Sequence, residues 1–305
     1  MLLVVFFIYD CSGMRPVPIH GLLDLEVPYQ FEINNVPFFP QKSYQCGPAV
    51  LSMALVWSGI QVKPDIVAPE VFTPSLKGSL QAALIGAARR HGRVAYPITT
   101  IDSLIKELAS GHPVIILQNL GFSWFPIWHY SLAIGYNLAD GCVILHSGKT
   151  YRKHLSLATF ERTWARSHYW GLLILPPSQL PVTAKESAYI SAVIGLEKAH
   201  HWKEALQGYQ TALSLWPNNL GAYIGIGNCY YALGEFKAAE DILQQAAVFF
   251  PNEGMILNNL AQVFLEQKKY DNALESIRKA IQLGGPLLHL YQNTLKEILF
   301  LKNSQ

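Results

Sequence analysis

The sequence predicts an α+β domain followed by an all-α solenoid of helical repeats. Three observations carry this: helical apolar spacing that gives way to strand-like apolar runs before residue 178, a proline-bearing break after it, and a 34-residue repeat beyond the break. Half of the 305 residues are apolar in type and 14% are charged, which is enough to bury a large core and suits about two domains.

Residues 1 to 27 form an apolar, signal-like segment and lead-in, and the first domain spans residues 28 to 178. In it "GPAVLSMALVWSG" reads as a helix closed by Gly59, "GSLQAALIGAARRHG" as a second closed by Gly92, and "IDSLIKELASG" as a third closed by Gly111. Segment 60 to 78, with Pro64, Pro69 and Pro74, reads as an irregular crossing. Strands then take over in "PVIILQNL", "HYSLAIGY", "GCVILHSG" and "YWGLLILP". Helices first and antiparallel strands after define an α+β fold with helices on one side of a small sheet. Residues 179 to 185 are the linker.

From residue 186 to 287, a 34-residue shift superposes Trp202, Phe236 and Tyr270, then Ala205, Ala239 and Ala273, then Ala212, Ala246 and Ala280, and finally Pro217, Pro251 and Gly285. Small alanines let two helices approach, an aromatic fills the space at the start of the second, and proline or glycine ends it. Segments 186 to 219, 220 to 253 and 254 to 287 resemble three tetratricopeptide repeats, with residues 288 to 305 as a capping helix and tail. That resemblance implies a protein partner on the concave face, with Asn228, Tyr231, Asn258 and Gln262 turned toward it. The face is poor in lysine and arginine, which argues against a clamp for a carboxylate terminus.

The formal net charge is +2 and the 23 basic residues are scattered, so nucleic acid is set aside as a partner. Cys11, Cys46, Cys142 and Cys229 form no CxxC pair, and neither a zinc site nor a disulfide framework is indicated; no cofactor is expected. Residues 2 to 9 are an unbroken apolar run, too short to span a bilayer and the size of part of a secretory signal. Cys11 follows where a lipoprotein signal places its lipidated residue, although Tyr9 and Asp10 stand where small residues are expected. The expected location is the cell envelope or periplasm, with membrane attachment only through Cys11.

The chemistry centres on "FFPQKSYQCGPAV". A cysteine at a helix N-terminus meets exposed N–H groups and the positive end of the helix dipole, which lower a thiol pKa. Cys46 is so placed, Pro48 suits the first turn, and Gly47 leaves the sulfur open. Gln41 can donate its amide to a developing oxyanion together with the Cys46 N–H. Among the histidines before the repeats, the candidates for the base are His20, His91, His112, His129, His146 and His154. His129 is preferred because it opens a strand directly after "FSWFPIW"; a packed core histidine is the competing reading. The aromatics of "FSWFPIW" read either as core or as a cleft wall, core being the commoner fate.

"VPFFPQKSYQCGPAVLSMAL" together with "WHYSLAIGY" resembles the double-glycine leader peptidases, a family of papain-like cysteine peptidases, and more closely the bacterial envelope proteins that fuse such a domain to tetratricopeptide repeats. The resemblance implies Cys46 as nucleophile, His129 as general base and Gln41 in the oxyanion hole, acting on a peptide or protein substrate. Two departures stand out. Where the family carries an Asp-Pro to orient the histidine, this chain reads "LHSGK", so the third member is Ser147 or its neighbour His146, a choice that strand register decides. The sequence shows no membrane-domain segments and no GxxxxGK[ST] motif, so a bacteriocin exporter is not expected. The expected function is a thiol peptidase whose repeats recruit substrate or partner. The alternative is a catalytically weak or inactive peptide-binding scaffold, and acyl transfer to an amine ranks third.

Overall fold

The computed structural model describes residues 25 to 304, so the apolar run and Cys11 lie outside the described residues. The chain divides into two compact units: one holds the residues up to Trp57, Gln61–Leu80 and Pro97–Leu173, the other Ser58–Ile60, Gln81–Tyr96 and the residues from Ile174 onward.

The first unit is built around α1 (Cys46–Trp57), whose residues from Gly47 to Leu55 are buried, as an uninterrupted apolar stretch requires of a central helix. The segment expected to be irregular is instead α2 (Pro64–Val71), with Pro64 in the first turn where its missing N–H costs nothing, and a small hairpin of β2 (Phe72–Thr73) and β3 (Gly78–Ser79). Pro64 marks the helix start, Pro69 lies inside α2 and Pro74 opens a single 3-10 turn, so the segment is structured. Helix α3 (Gln81–Arg90) lies in the second unit, where Arg90 O accepts from His201 Nε2 at 2.6 Å and the Arg89 guanidinium lies against Gly195. Helix α4 (Ile101–Ala109) is capped by Thr100, which accepts from the Ser103 N–H.

The main sheet holds β1 (Gln30–Glu32), β4 (Val94–Ile98), β5 (Val114–Asn119), β6 (Trp128–Asn137), β7 (Cys142–Ser147), β8 (Thr150–Ser156) and β9 (Gly171–Leu175) in the order β4-β9-β5-β6-β7-β8. Strand β6 is its axis. Its first half pairs with β5, while its second half pairs with β7 on one side and β1 on the other, all antiparallel. Gly135 permits this crowding: a Cβ there would lie 2.6 Å from the Phe31 carbonyl. Strands β1, β4 and β8, with helix α5 (Leu157–Ala165), add to the elements expected from the sequence. The fold class is the α+β arrangement expected.

The repeats are α6 (Glu186–Glu197) with α7 (Trp202–Leu215), α8 (Leu220–Ala232) with α9 (Phe236–Phe249), and α10 (Gly254–Glu266) with α11 (Tyr270–Leu283), followed by α12 (Leu288–Asn303). The aromatic column opens every second helix, and the six column alanines are fully buried. Gly225 shows how tight this packing is, since a Cβ there would lie 2.3 Å from the Tyr209 ring. Among the described residues no helix is long and apolar enough to cross a membrane.

Candidate active site

The site gathers where β6 outlasts its neighbour. Leu117 on β5 turns its N–H toward Trp170 O, so Tyr130, opposite Leu117, presents its own N–H and C=O to the other side of β6. Strand β7 ends at Ser147, just short of that edge. Side chains occupy the vacant ladder positions. Gln41 Nε2 donates to Tyr130 O at 3.2 Å, the Gln41 N–H donates to Gly148 O at 2.9 Å, and the Tyr130 N–H lies on the Cys46 side, where it favours the thiolate. Gln41 is buried, and its amide has a second N–H beyond the one given to Tyr130. The approach to Cys46 passes through Tyr44 at a φ of 62°, a left-handed conformation uncommon for a non-glycine residue, with the Lys77 ammonium 5.8 Å from its ring centroid.

Cys46 is the first residue of α1 and is partly exposed. Burial nonetheless pushes its thiol up from the usual value, against the opposing pull of the N–H groups of Tyr130, Gly47 and Cys46 itself. The expectation of a lowered pKa is thus corrected: helix-terminal N–H groups do meet the sulfur, but desolvation outweighs them. His129 is held below its usual value, by burial first and by the Lys153 ammonium second. Both groups therefore rest neutral near pH 7, and among the described residues no hydrogen bond joins the sulfur to the imidazole.

Register separates the two third-member candidates. Leu132 pairs with His146, which places His146 on the face opposite His129. There it packs edge-on against Phe38 and stacks on Tyr151, its Nδ1 accepting from the Arg152 N–H at 3.4 Å and its Nε2 lying 3.5 Å from Val36 O. Ser147 lies on the His129 side, with its Oγ 3.0 Å from His129 Nε2.

Behind Ser147 runs a chain of neutral polar groups that the sequence reading missed. Ser131 Oγ is 3.1 Å from Ser147 Oγ and donates to Gln118 Oε1 at 3.2 Å; Gln118 Nε2 donates to Thr163 Oγ1 at 2.7 Å; the Thr163 hydroxyl donates to the Thr159 and Phe160 carbonyls, each at 2.9 Å. Gln118 is 1% exposed and Ser131 is fully buried, so water does not compete. The direction of the chain follows from its fixed end. Thr163 gives its proton to main-chain carbonyls and so accepts from the Gln118 amide nitrogen, which leaves Gln118 Oε1 to accept from Ser131. Ser131 has then used its proton and accepts from Ser147, and Ser147 in turn accepts from His129 Nε2–H. The neutral imidazole is thereby set with its Nδ1 lone pair unprotonated. A signal was available: His129 and Ser131 are two apart on one strand, and Gln118 interrupts an otherwise apolar run.

The "FSWFPIW" segment is not core. Residues 120 to 128 form an ordered hairpin in which Leu120 N–H donates to Ile127 O, Phe122 pairs with Phe125, and Asn119 Oδ1 accepts from the N–H groups of Gly121 and Ile127 at 3.0 and 2.9 Å. Its apolar side chains point outward: Trp124 is 80% exposed and stacks on Phe122, and Trp128, next to His129, is half exposed.

A helix-borne cysteine and a strand-borne histidine brought to one strand end of an α+β unit, with helical repeats in the same chain, define a cysteine-peptidase-like protein with an interaction module. Residues 26–171 match the model of the Peptidase_C39 like family, and residues 196–263 and 256–283 match tetratricopeptide repeat families. A comparison with curated proteins finds no match. Among solved structures, the chain is similar to a protein from Bacillus anthracis assigned as a C39-like peptidase, at 18% identity and a TM-score of 0.42, covering 48% of this chain and 97% of that one. It is also similar to the type III secretion translocator chaperone SycD of Yersinia enterocolitica, at 19% identity and a TM-score of 0.36, covering 38% and 93%. A third is the first tetratricopeptide domain of RPAP3 bound to an HSP90 peptide, at 17% identity and a TM-score of 0.36, covering 39% and 94%.

Proposed function

We propose that the first unit is a thiol peptidase and that the repeats bring it a protein substrate or partner. Cys46 Sγ attacks a peptide carbonyl, forming the S–C bond as His129 takes the thiol proton. His129 then gives that proton to the departing amine as the C–N bond breaks, and a water, deprotonated by His129, releases the acid and restores the thiol. Gln41 contributes its second amide N–H to the developing oxyanion, and Ser147 holds the imidazole. One observation carries this reading: the Gln41 amide is held on Tyr130 C=O, on the same edge of β6 whose N–H favours the Cys46 thiolate, while the adjacent His129 is held by Ser147. The sulfur–imidazole hydrogen bond belongs to the substrate complex, since such bonds often tighten only on binding.

A pool of peptidyl chloromethyl ketones, which need both nucleophile and oxyanion site, tests the proposal against iodoacetamide, which needs only an open thiol. Cys46 is expected to take the ketones well ahead of the buried Cys142 and Cys229, and His129→Ala to abolish this while iodoacetamide still labels Cys46. Equal ketone labelling in His129→Ala sinks the peptidase and favours the peptide-binding scaffold, for which the raised thiol pKa and the hydroxyl, in place of an acid, on His129 speak.

The envelope location is proposed with it, on the apolar run at residues 2 to 9 and Cys11. In the native host, mass spectrometry is expected to find a mature N-terminus at Cys11 bearing lipid; an intact Met1 excludes it.

A further inference from the structure

We propose that the repeat unit carries a pocket for one cationic side chain, lysine or arginine, of a bound peptide, with Glu197 taking the charge, Trp202 forming an aromatic wall, and Leu243 and Val263 receiving the apolar stem. This goes beyond recruitment in general and rests on the reading that the repeats bind a protein. The cavity, of about 210 Å³, opens among α6, α7, α8, α9 and α10. Its lining contains no lysine or arginine.

Glu197 supplies the main evidence. One of its oxygens accepts from Tyr209 OH at 2.7 Å, and the other accepts only a long bond, 3.3 Å, from Asn228 Nδ2. Both donors are neutral, and among the described residues no cation pairs with Glu197. A carboxylate offers about four lone-pair sites, so capacity for a charged donor remains. Asn259 Nδ2 donates to Asn228 Oδ1 at 3.0 Å, which turns the Asn228 amide donor toward Glu197 and leaves the wall set before any ligand arrives.

Charge across the inner helices agrees. Helices α6, α8 and α10 carry Glu186, Glu197 and Glu266 and not one lysine or arginine. The field is felt by neighbouring groups: Cys229 is pushed up to about 12, by burial first and by Glu197 second. An anionic peptide group would meet Glu197 as a like charge. A lysine or arginine matches the cavity at both ends, since its methylene stem suits an apolar floor and its head suits a carboxylate beside an indole.

The test uses the full ¹⁵N-labelled chain titrated with Nα-acetyl-arginine amide, Nα-acetyl-lysine amide and Nα-acetyl-glutamate amide. The two cationic probes are expected to shift the Trp202 indole N–H and the Asn228 and Asn259 side-chain amides saturably, and the glutamate probe to leave them unmoved. Glu197→Gln, which retains an acceptor for Tyr209, is expected to weaken the cationic probes about tenfold, while Glu186→Gln changes little. Binding of the glutamate probe at these signals, unchanged affinity in Glu197→Gln, or no response to either cation overturns the pocket. A random peptide pool separates this from the parent reading: if it shifts repeat signals while the cations fail, recruitment stands and the cationic pocket falls. If neither the pool nor any probe moves a repeat signal, both fall.

Discussion

Cys46→Ala and His129→Ala are each expected to lower kcat/KM on a quenched fluorescent peptide pool by about a thousandfold or more, with the double variant no worse than either single one. The non-additivity follows from the mechanism: without the thiol there is no proton for His129 to take, and without the imidazole a thiol of raised pKa stays protonated. The pH profile separates this neutral pair from a preformed thiolate–imidazolium pair. Protonated His129 cannot act as base, and its pKa lies below 6.5, so activity is expected to fall as pH drops through a value below 6.5. The upper limb is set by loss of the thiol proton needed by the leaving amine, and lies above the ordinary thiol value of 9.0. A plateau between these limits fits the neutral pair. An acid limb near 4 with an alkaline limb near 8 to 9, about what an ion pair with a depressed thiol gives, would refute it, as would additive losses in the double variant.

The neutrality of the pair shows what a sequence conceals. Cys46 at a helix start was legible because Gly47 and Pro48 mark that start, and the expected dipole and N–H groups are present. What reversed the sign of the shift is how deeply the thiol sits against β6, a property of long-range packing that no local window contains. The same holds for the hairpin after β5. Its aromatics have core composition, yet Asn119 clamps the loop into a paired ribbon that carries them outward. The repeats were legible for the opposite reason: each unit packs mainly on the next, so the pattern is local and recurs every 34 residues. In the first unit, α2 and α5 escaped because proline and polar residues mask short helices whose burial comes from the sheet side.

The choice between Ser147 and His146 also lay beyond the sequence, because one residue of register exchanges them, and the answer came with the pairing of Leu132 and His146. It leaves His129 leaning on a hydroxyl where a carboxylate is usual in the family it resembles. A hydroxyl cannot neutralise imidazolium, so its contribution is to fix a tautomer, and a lone serine would do that poorly because it can donate or accept. The buried chain through Ser131, Gln118 and Thr163 removes that freedom.

Ser147→Ala is therefore expected to lower kcat/KM by about ten- to a hundredfold, roughly 1.4 to 2.7 kcal/mol of transition-state stabilisation, with iodoacetamide labelling of Cys46 unchanged. Ser131→Ala leaves Ser147 in place but unaligned, so a smaller loss in the same direction is expected. Activity alone would not distinguish alignment from a packing defect, so the decisive reading is the ¹⁵N spectrum of the His129 ring. In the wild type Nε2 is expected to carry the proton, because the chain leaves Ser147 as the acceptor there, and Nδ1 to be bare. In both variants the ring is expected to show a mixture of tautomers, with a larger share of Nδ1–H in Ser147→Ala. Ser147→Thr, which keeps the hydroxyl on the same Cβ, is expected to restore the wild-type tautomer and most of the rate. An Nδ1–H ring in the wild type would mean that the chain runs the other way, with Ser147 donating to Nε2, and the proposed base would point its lone pair away from the substrate. Full activity in Ser147→Ala would mean that the fold around His129 positions the ring without the chain.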